Sequence, residues 1–327
     1  MLAPQAVRDK STPTTPVEPA RLQRWSDLAC RDPLTRRPQF AIILETRRER
    51  RALSLGGTIA FRVSILASGS SGNITLLETQ RTRLLIDAGL GKRETLRRLA
   101  AVEQRPDRLD GILISHEHAD HIGGLPQILR QWRTTVYLTE PTHEEVLRLV
   151  PEEFAKRLER LEYIRPGQRF TIGDIEVAAF SIPHDAVEPL GFTFRADGVK
   201  VSLVTDLGYL PELVKYHLRE SDCLILESNH DLEMLKVGPY PWHVKQRVMS
   251  RTGHLSNHSV SEFLADPDGF DARARLLVLA HLSENNNHPD VARICAEEAL
   301  GRRPAEAVFR GELLVASQRV PLGPLLL

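Results

Sequence analysis

Residues 116–121 read His-Glu-His-Ala-Asp-His, which places four side chains able to hold a metal within six positions. Neutral imidazoles and carboxylates suit Zn²⁺, Mn²⁺ or iron, and a mixed set suits a catalytic site better than a closed structural one. One ion cannot take all four ligands from one short loop, so His116, His118, Asp120 and His121 point to a dinuclear site. Complementary ligands follow downstream. Val177-Ala178-Ala179-Phe180-Ser181-Ile182-Pro183 runs into His184, Val199-Lys200-Val201-Ser202-Leu203-Val204-Thr205 into Asp206, and Leu276-Leu277-Val278-Leu279-Ala280 into His281. Each is a hydrophobic run ending in a metal-competent residue.

The elements that must position these groups are therefore strands. Gly111-Ile112-Leu113-Ile114-Ser115 is short, apolar and β-branched, a buried strand leading into the histidines. Strands are predicted at 61–67, 73–79, 83–87, 111–115, 136–139, 170–182, 191–206, 223–228, 276–281 and 306–315. Helices are predicted at 92–102, 124–132, 142–160 in two pieces, 209–219, 241–251, 257–265 and 289–300. Pro289 starts the last helix and Gly301 ends it.

Other polar residues lie near the same strand ends. Ser68, Ser70, Ser71 and Asn73 form a small loop, read either as a plain connection or as a contact for phosphate. Glu227, Asn229 and His230 follow another strand end, where substrate contact and support of the ligands compete. Lys245, Arg247 and Arg251 fall on a predicted helix, either as a solvated face or as a track for a phosphate backbone. His254 precedes a helix capped by Ser256. His143, His217, His243 and His258 have no ligand-like setting, and His288 belongs to a helix start.

This order of ligands resembles the metallo-β-lactamase superfamily: His-x-His-x-Asp-His, then a His, an Asp and a His, each at a strand end. The likeness spans roughly residues 61–320. Motifs at 64–73, 85–89, 181–186, 227–231, 238–242, 253–257 and 281–287 are similar to the YycJ (WalJ) exonuclease branch. That branch is related to the cyclic phosphodiesterase of phosphonate metabolism and to ribonuclease Z. The resemblance implies an α/β fold, a four-layer αββα sandwich. It implies two divalent ions, Zn or Mn, with His116, His118 and His184 on one, Asp120, His121 and His281 on the other, and Asp206 shared. It implies metal-dependent phosphodiester hydrolysis by a hydroxide shared between the ions, with Asp120 orienting it and His254 facing the scissile phosphate. The substrate implied is DNA, digested 5′ to 3′. An Asp at position 206, where some β-lactamases carry Cys, argues against a β-lactamase. Competing readings are a small-molecule hydrolase (of a cyclic phosphodiester, thioester or lactone) and a non-catalytic relict, the latter opposed by seven intact ligands. Flavodiiron-like redox chemistry lacks the Glu it needs at position 118.

Composition bounds these readings. Lys plus Arg and Asp plus Glu are both 43 over 327 residues, so no global basic field draws nucleic acid. Residues 1–58 hold 11 Lys/Arg against 6 Asp/Glu, leaving 32 against 37 for the rest. That Pro- and Arg-rich stretch is expected to be a largely disordered extension with a short helix near 20–29, preceding a hydrolase domain at 59–327. Cys30, Cys223 and Cys295 imply no disulfide framework and fit a reducing cytoplasm. No apolar run reaches membrane-spanning length, so no membrane partner is expected. Oligomeric state is not legible.

Overall fold

The structure, a computed structural model, describes residues 59–150, 158 and 160–327. The extension at 1–58, its expected helix, Cys30 and the second piece of the 142–160 helix lie outside the described residues. The strands are β1 Arg62–Ala67, β2 Ile74–Glu78, β3 Arg83–Ile86, β4 Gly111–Leu113, β5 Val136–Leu138, β6 Leu161–Tyr163 and β7 Arg169–Ile172. They continue as β8 Ile175–Ser181, β9 Leu190–Ala196, β10 Val199–Val204, β11 Cys223–Glu227, β12 Leu276–Ala280, β13 Glu312–Val315 and β14 Leu322–Leu326. The helices are α1 Lys92–Ala101, α2 Ala119–Ile122, α3 Leu125–Gln131, α4 Glu140–Leu149, α5 Glu212–Leu218, α6 Leu232–Val237, α7 Trp242–Val248, α8 Asn257–Ala265 and α9 Pro289–Gly301.

Two sheets result, ordered β14-β1-β2-β3-β4-β5-β6 and β13-β12-β11-β10-β9-β8-β7. Alternation along each strand explains their stacking, because successive side chains face opposite ways. Ile65, Leu77, Leu84, Ile86 and Leu113 face Val177, Phe192, Phe194, Val201, Ile225 and Val278 in one core between the sheets. Their neighbours Leu66, Leu76, Leu85 and Ile112 instead pack under α1, α3 and α4. Phe180, Val204, Leu226 and Leu279 pack under α5, α8 and α9. Three apolar layers separate four structural ones, which is the expected αββα sandwich. Strands buried on both faces read as continuous apolar runs, which is why they were conspicuous.

Differences from expectation are local. The 170–182 run is two strands, turning at Gly173 (φ +59°), and the 191–206 run is two, turning at Asp197-Gly198 (φ +47° and +78°). Both turns use the left-handed region that Gly and Asp tolerate. The 306–315 strand shrinks to Glu312–Val315 after a short 3-10 turn at Ala305–Ala307. The helix foreseen at 241–251 ends at Val248, so Arg247 and Arg251 do not share a helical face. Strands β6 and β14 and helix α6 were not foreseen; β6 and α6 are short and β14 carries Gly323-Pro324.

Candidate metal centre

The ligands come from loops that leave strands abruptly. Asp87, Asp206 and His281 follow β3, β10 and β12, and all three have left-handed backbone, with φ of +61°, +64° and +55°. Non-glycine residues bear a cost there, and such costs concentrate at functional sites. Asp87 accepts hydrogen bonds from the Ser115 amide (2.8 Å), the Ser115 hydroxyl (2.9 Å) and His121 Nδ1 (2.9 Å). The Ser115 hydroxyl also meets His116 Nδ1 at 3.0 Å. One carboxylate therefore fixes both ends of the six-residue cluster. Gly89 lets the Asp120 carbonyl approach; a Cβ there would lie 1.7 Å from that oxygen.

The side chains converge. Ligand atoms of His116, His118 and His184 lie within 4.8 Å of one another, as do those of Asp120, His121 and His281. Asp206 joins His116 and His121 in a third such group. Its Oδ2 lies 3.3 Å from His121 Nε2 and its Oδ1 3.4 Å from His281 Nε2. His184 Nε2 faces His118 Nδ1 at 3.2 Å. Buried His116 Nε2, His281 Nε2 and Asp206 Oδ2 make no hydrogen bond. Buried polar atoms left without a partner, out of water, are costly unless a cation joins them. The donor set, imidazole nitrogen plus carboxylate oxygen, fits divalent metal ions. Asp120, 20% exposed, marks the open side of the cluster.

Behind the ligands stands a ring of supporting groups. Glu227 is fully buried and uses both carboxylate oxygens. Oε1 accepts from His281 Nδ1 and from His254 Nδ1, both at 2.8 Å. Oε2 accepts from the Leu207 and Leu255 amides at 3.1 and 2.9 Å. Asp206, Glu227, His254 and His281 also form a possible ligand group by distance. There, however, both Nδ1 atoms are already donated to Glu227, which leaves them no lone pair for a cation. Burial disfavours the ionised Glu227, yet the facing His254 and His281 outweigh it and hold its pKa down to about 2. Burial likewise opposes a charged His281, but Asp206, Asp120 and Glu227 push its pKa up to about 10. His254 is raised in the same way, mainly by Glu227 against burial.

Of the residues read as either substrate contacts or support for the ligands, Ser68, Asn73, Asn229 and Glu227 bond to candidate ligands. Ser68 Oγ accepts from the His281 amide at 2.8 Å. Asn229 Nδ2 donates to the His281 carbonyl at 2.9 Å. Asn73 Nδ2 stands 3.0 Å from both Asp120 Oδ2 and His121 Nε2, so a cation on His121 would replace that second contact. His230 is buried, its pKa pushed down to about 4 chiefly by burial. Lys245 is buried and bonded to the Lys236 carbonyl, so it is not a backbone-binding residue. Arg247 pairs with Asp185, and Arg251 stacks over Tyr209 at 4.2 Å. His143 bonds the Tyr163 hydroxyl, His217 stacks on Phe180, and His288 caps α9. Asp87 and Ser115 were missed as site residues. Asp87 nonetheless ends a hydrophobic strand, the same signal that picked out the ligands.

Residues 82–282 match the Beta-lactamase superfamily domain. The chain belongs to this superfamily. It is 37% identical over 241 residues to "Exodeoxyribonuclease WalJ" of Streptococcus pneumoniae, covering 72% of this chain and 87% of that protein. It is 36% identical over 240 residues to "Exodeoxyribonuclease YycJ" of Bacillus anthracis, covering 72% and 88%. Zn²⁺-bound PqqB of Methylobacterium extorquens shares the fold, with a TM-score of 0.60 at 16% identity over 80% of this chain and 99% of that one. Membership and the ligand clusters together make the chain a metal-dependent hydrolase of the metallo-β-lactamase fold. Among the described residues no helix is long and apolar enough to cross a membrane.

Proposed function

We propose that the chain is a dinuclear-metal phosphodiesterase acting on DNA as a 5′-to-3′ exonuclease. His116, His118 and His184 would hold one divalent cation, Asp120, His121 and His281 the other, and Asp206 both. The observation that carries this reading is the convergence of seven ligands from four strand ends, with three of their buried atoms unpartnered. The DNA substrate rests on the names of the relatives above, matched over most of their length. Zn²⁺ and Mn²⁺ suit the donor set equally. A cytoplasmic setting accords with Cys223 and Cys295 being free.

Bound cations would supply acidification of a coordinated water and screening of phosphoryl charge. The protein's own part follows from its hydrogen bonds. Asp120, at the open side and oriented by Asn73, presents a carboxylate to orient the attacking water. His254 donates an Nδ1–H hydrogen bond to Glu227, which fixes the ring and leaves Nε2 for substrate. Glu227, against burial, raises its pKa and so favours the charged ring, which can donate a proton to the leaving oxygen. Leu207 and Leu255 amides hold the other oxygen of Glu227, tying this acid to the loops after β10 and before α8.

The test uses duplex DNA labelled at the 5′ or 3′ end, with Mn²⁺, Mg²⁺ or Zn²⁺ and an Asp120→Ala control. Stepwise loss of the 5′ label by the wild type alone is expected. Turnover of bis-(p-nitrophenyl) phosphate or a thioester with DNA untouched would replace the exonuclease with a small-molecule hydrolase.

A further inference from the structure

The outer face of the second sheet is not fully covered by α5, α8 and α9. Near β7–β10 it carries a cavity of about 460 Å³, in the range of small-molecule sites. It lies away from the metal centre. Lys200, on its wall, precedes Asp206 by six residues, roughly 20 Å along a strand at about 3.3 Å per residue. Small cross-strand neighbours, Ala178 and Thr193, leave the space open beneath it.

The wall is built of cations. Arg195 sits between Glu176 and Lys200 in one cross-strand row. Arg169, Arg219 and Arg273 complete it, against three carboxylates, Glu176, Glu220 and Asp271. Those carboxylates do not satisfy the guanidinium groups. Arg169 lies 4.0 Å from Glu176, and Glu220 is shared by Arg195 at 3.7 Å and Arg273 at 3.6 Å. These separations exceed a hydrogen bond, so the guanidinium donors of Arg169 and Arg195 meet no acceptor among the described residues. Lys200 is buried and donates to the His217 and Arg219 carbonyls at the end of α5 (2.7 and 2.5 Å), leaving one of its three N–H bonds unused. Burial, then Arg195, pushes its pKa down to about 8, with Glu220 and Asp271 opposing. Exposed Tyr216 stands at the edge.

We propose that this cavity binds the phosphate group of a small molecule, at a site separate from the metal centre. Planar guanidinium forks from two strands and a buried ammonium match the oxygens of a phosphate. A small open hollow suits a compact anion, whereas a nucleic-acid duplex needs an extended track of charge. The phosphate could be free, in pyrophosphate, or carried by a nucleoside whose base meets Tyr216.

Calorimetric titration of the full chain with inorganic phosphate, pyrophosphate and dAMP tests this, with the Arg169→Ala/Arg195→Ala variant alongside. The metal centre is the same in both proteins, so the difference between them reports the cavity. At least one probe should bind the variant about tenfold more weakly, a loss of roughly 1.4 kcal/mol. The unliganded melting temperature should not change, since both side chains are exposed and unbonded. Arg195→Lys, which keeps the charge, should lose less and serves if the double variant does not fold. A stronger effect for dAMP than for phosphate would assign the site to nucleotides; equal effects would assign it to phosphate itself. If no probe distinguishes the proteins, the proposal is overturned.

Discussion

His116, His118 and His184 differ from Asp120, His121 and His281 in what stands behind them. In the first group the supporting atoms are neutral: the Ser115 hydroxyl behind His116 and the Gly253 carbonyl 3.2 Å from His184 Nδ1. In the second they are carboxylates, Asp87 behind His121 and Glu227 behind His281. The consequence is electrostatic. Burial dominates for His116 and His184, whose pKa values are lowered. For His121 and His281 the surrounding carboxylates overcome burial and raise them. A carboxylate partner also makes an imidazole a more basic ligand and fixes its tautomer. The two halves of one centre should therefore depend on different surroundings, and Asp206 should be where they join.

The largest expected effect tests that junction. Asp206→Ala should empty both halves and reduce hydrolysis to background. Metal analysis showing one ion fully retained would mean the halves are independent. Next, His254→Ala should keep its metals yet lose on the order of 10²–10⁴ in kcat. If it loses metal instead, His254 is a ligand and the assignment of Glu227 as its partner in proton donation fails.

The comparison itself is sharpened by smaller changes. Glu227→Gln and Asp87→Asn should each weaken metal binding by about 10–100-fold, and the loss should fall mainly on the half containing His121 and His281, whose imidazoles these carboxylates bond directly. Ser115→Ala should cost less, because the hydroxyl behind His116 is uncharged. Equal losses in all three would abolish the distinction between carboxylate-backed and neutral halves. The smallest effect is expected from removing residues 1–58. Both sheets and every candidate ligand lie within 59–327, so melting temperature and metal content should be unchanged. A drop in either would show that the extension packs on the domain.

Much of this was legible because the chemistry lies at strand ends. A strand buried on both faces is a continuous apolar run, and the first metal-competent residue after it is conspicuous. That rule picks out His116, His184, Asp206 and His281, and it would have picked out Asp87. Short turns were less legible: Gly173 and Asp197-Gly198 interrupt runs that remain apolar on either side, so period and hydrophobicity alone merge the strands. The polar residues Ser68, Asn73, Glu227 and Asn229 could be placed near the site, but not given roles. Serine, asparagine and glutamate can face a substrate or a ligand equally well.

The sequence by itself determined the ligand types, their order and their places after apolar runs, because those depend on residue identity and on patterns a few residues long. Tertiary structure decided which groups meet. Glu227 bridges His254 and His281 across 27 and 54 residues, and Ser68 reaches His281 across 213. Such pairings depend on strand order and register in two stacked sheets. So does the cavity by Arg195, which exists because Ala178 and Thr193 are small where two neighbouring strands align. No local pattern encodes that alignment, since it is set by how the packed layers bury their apolar faces together.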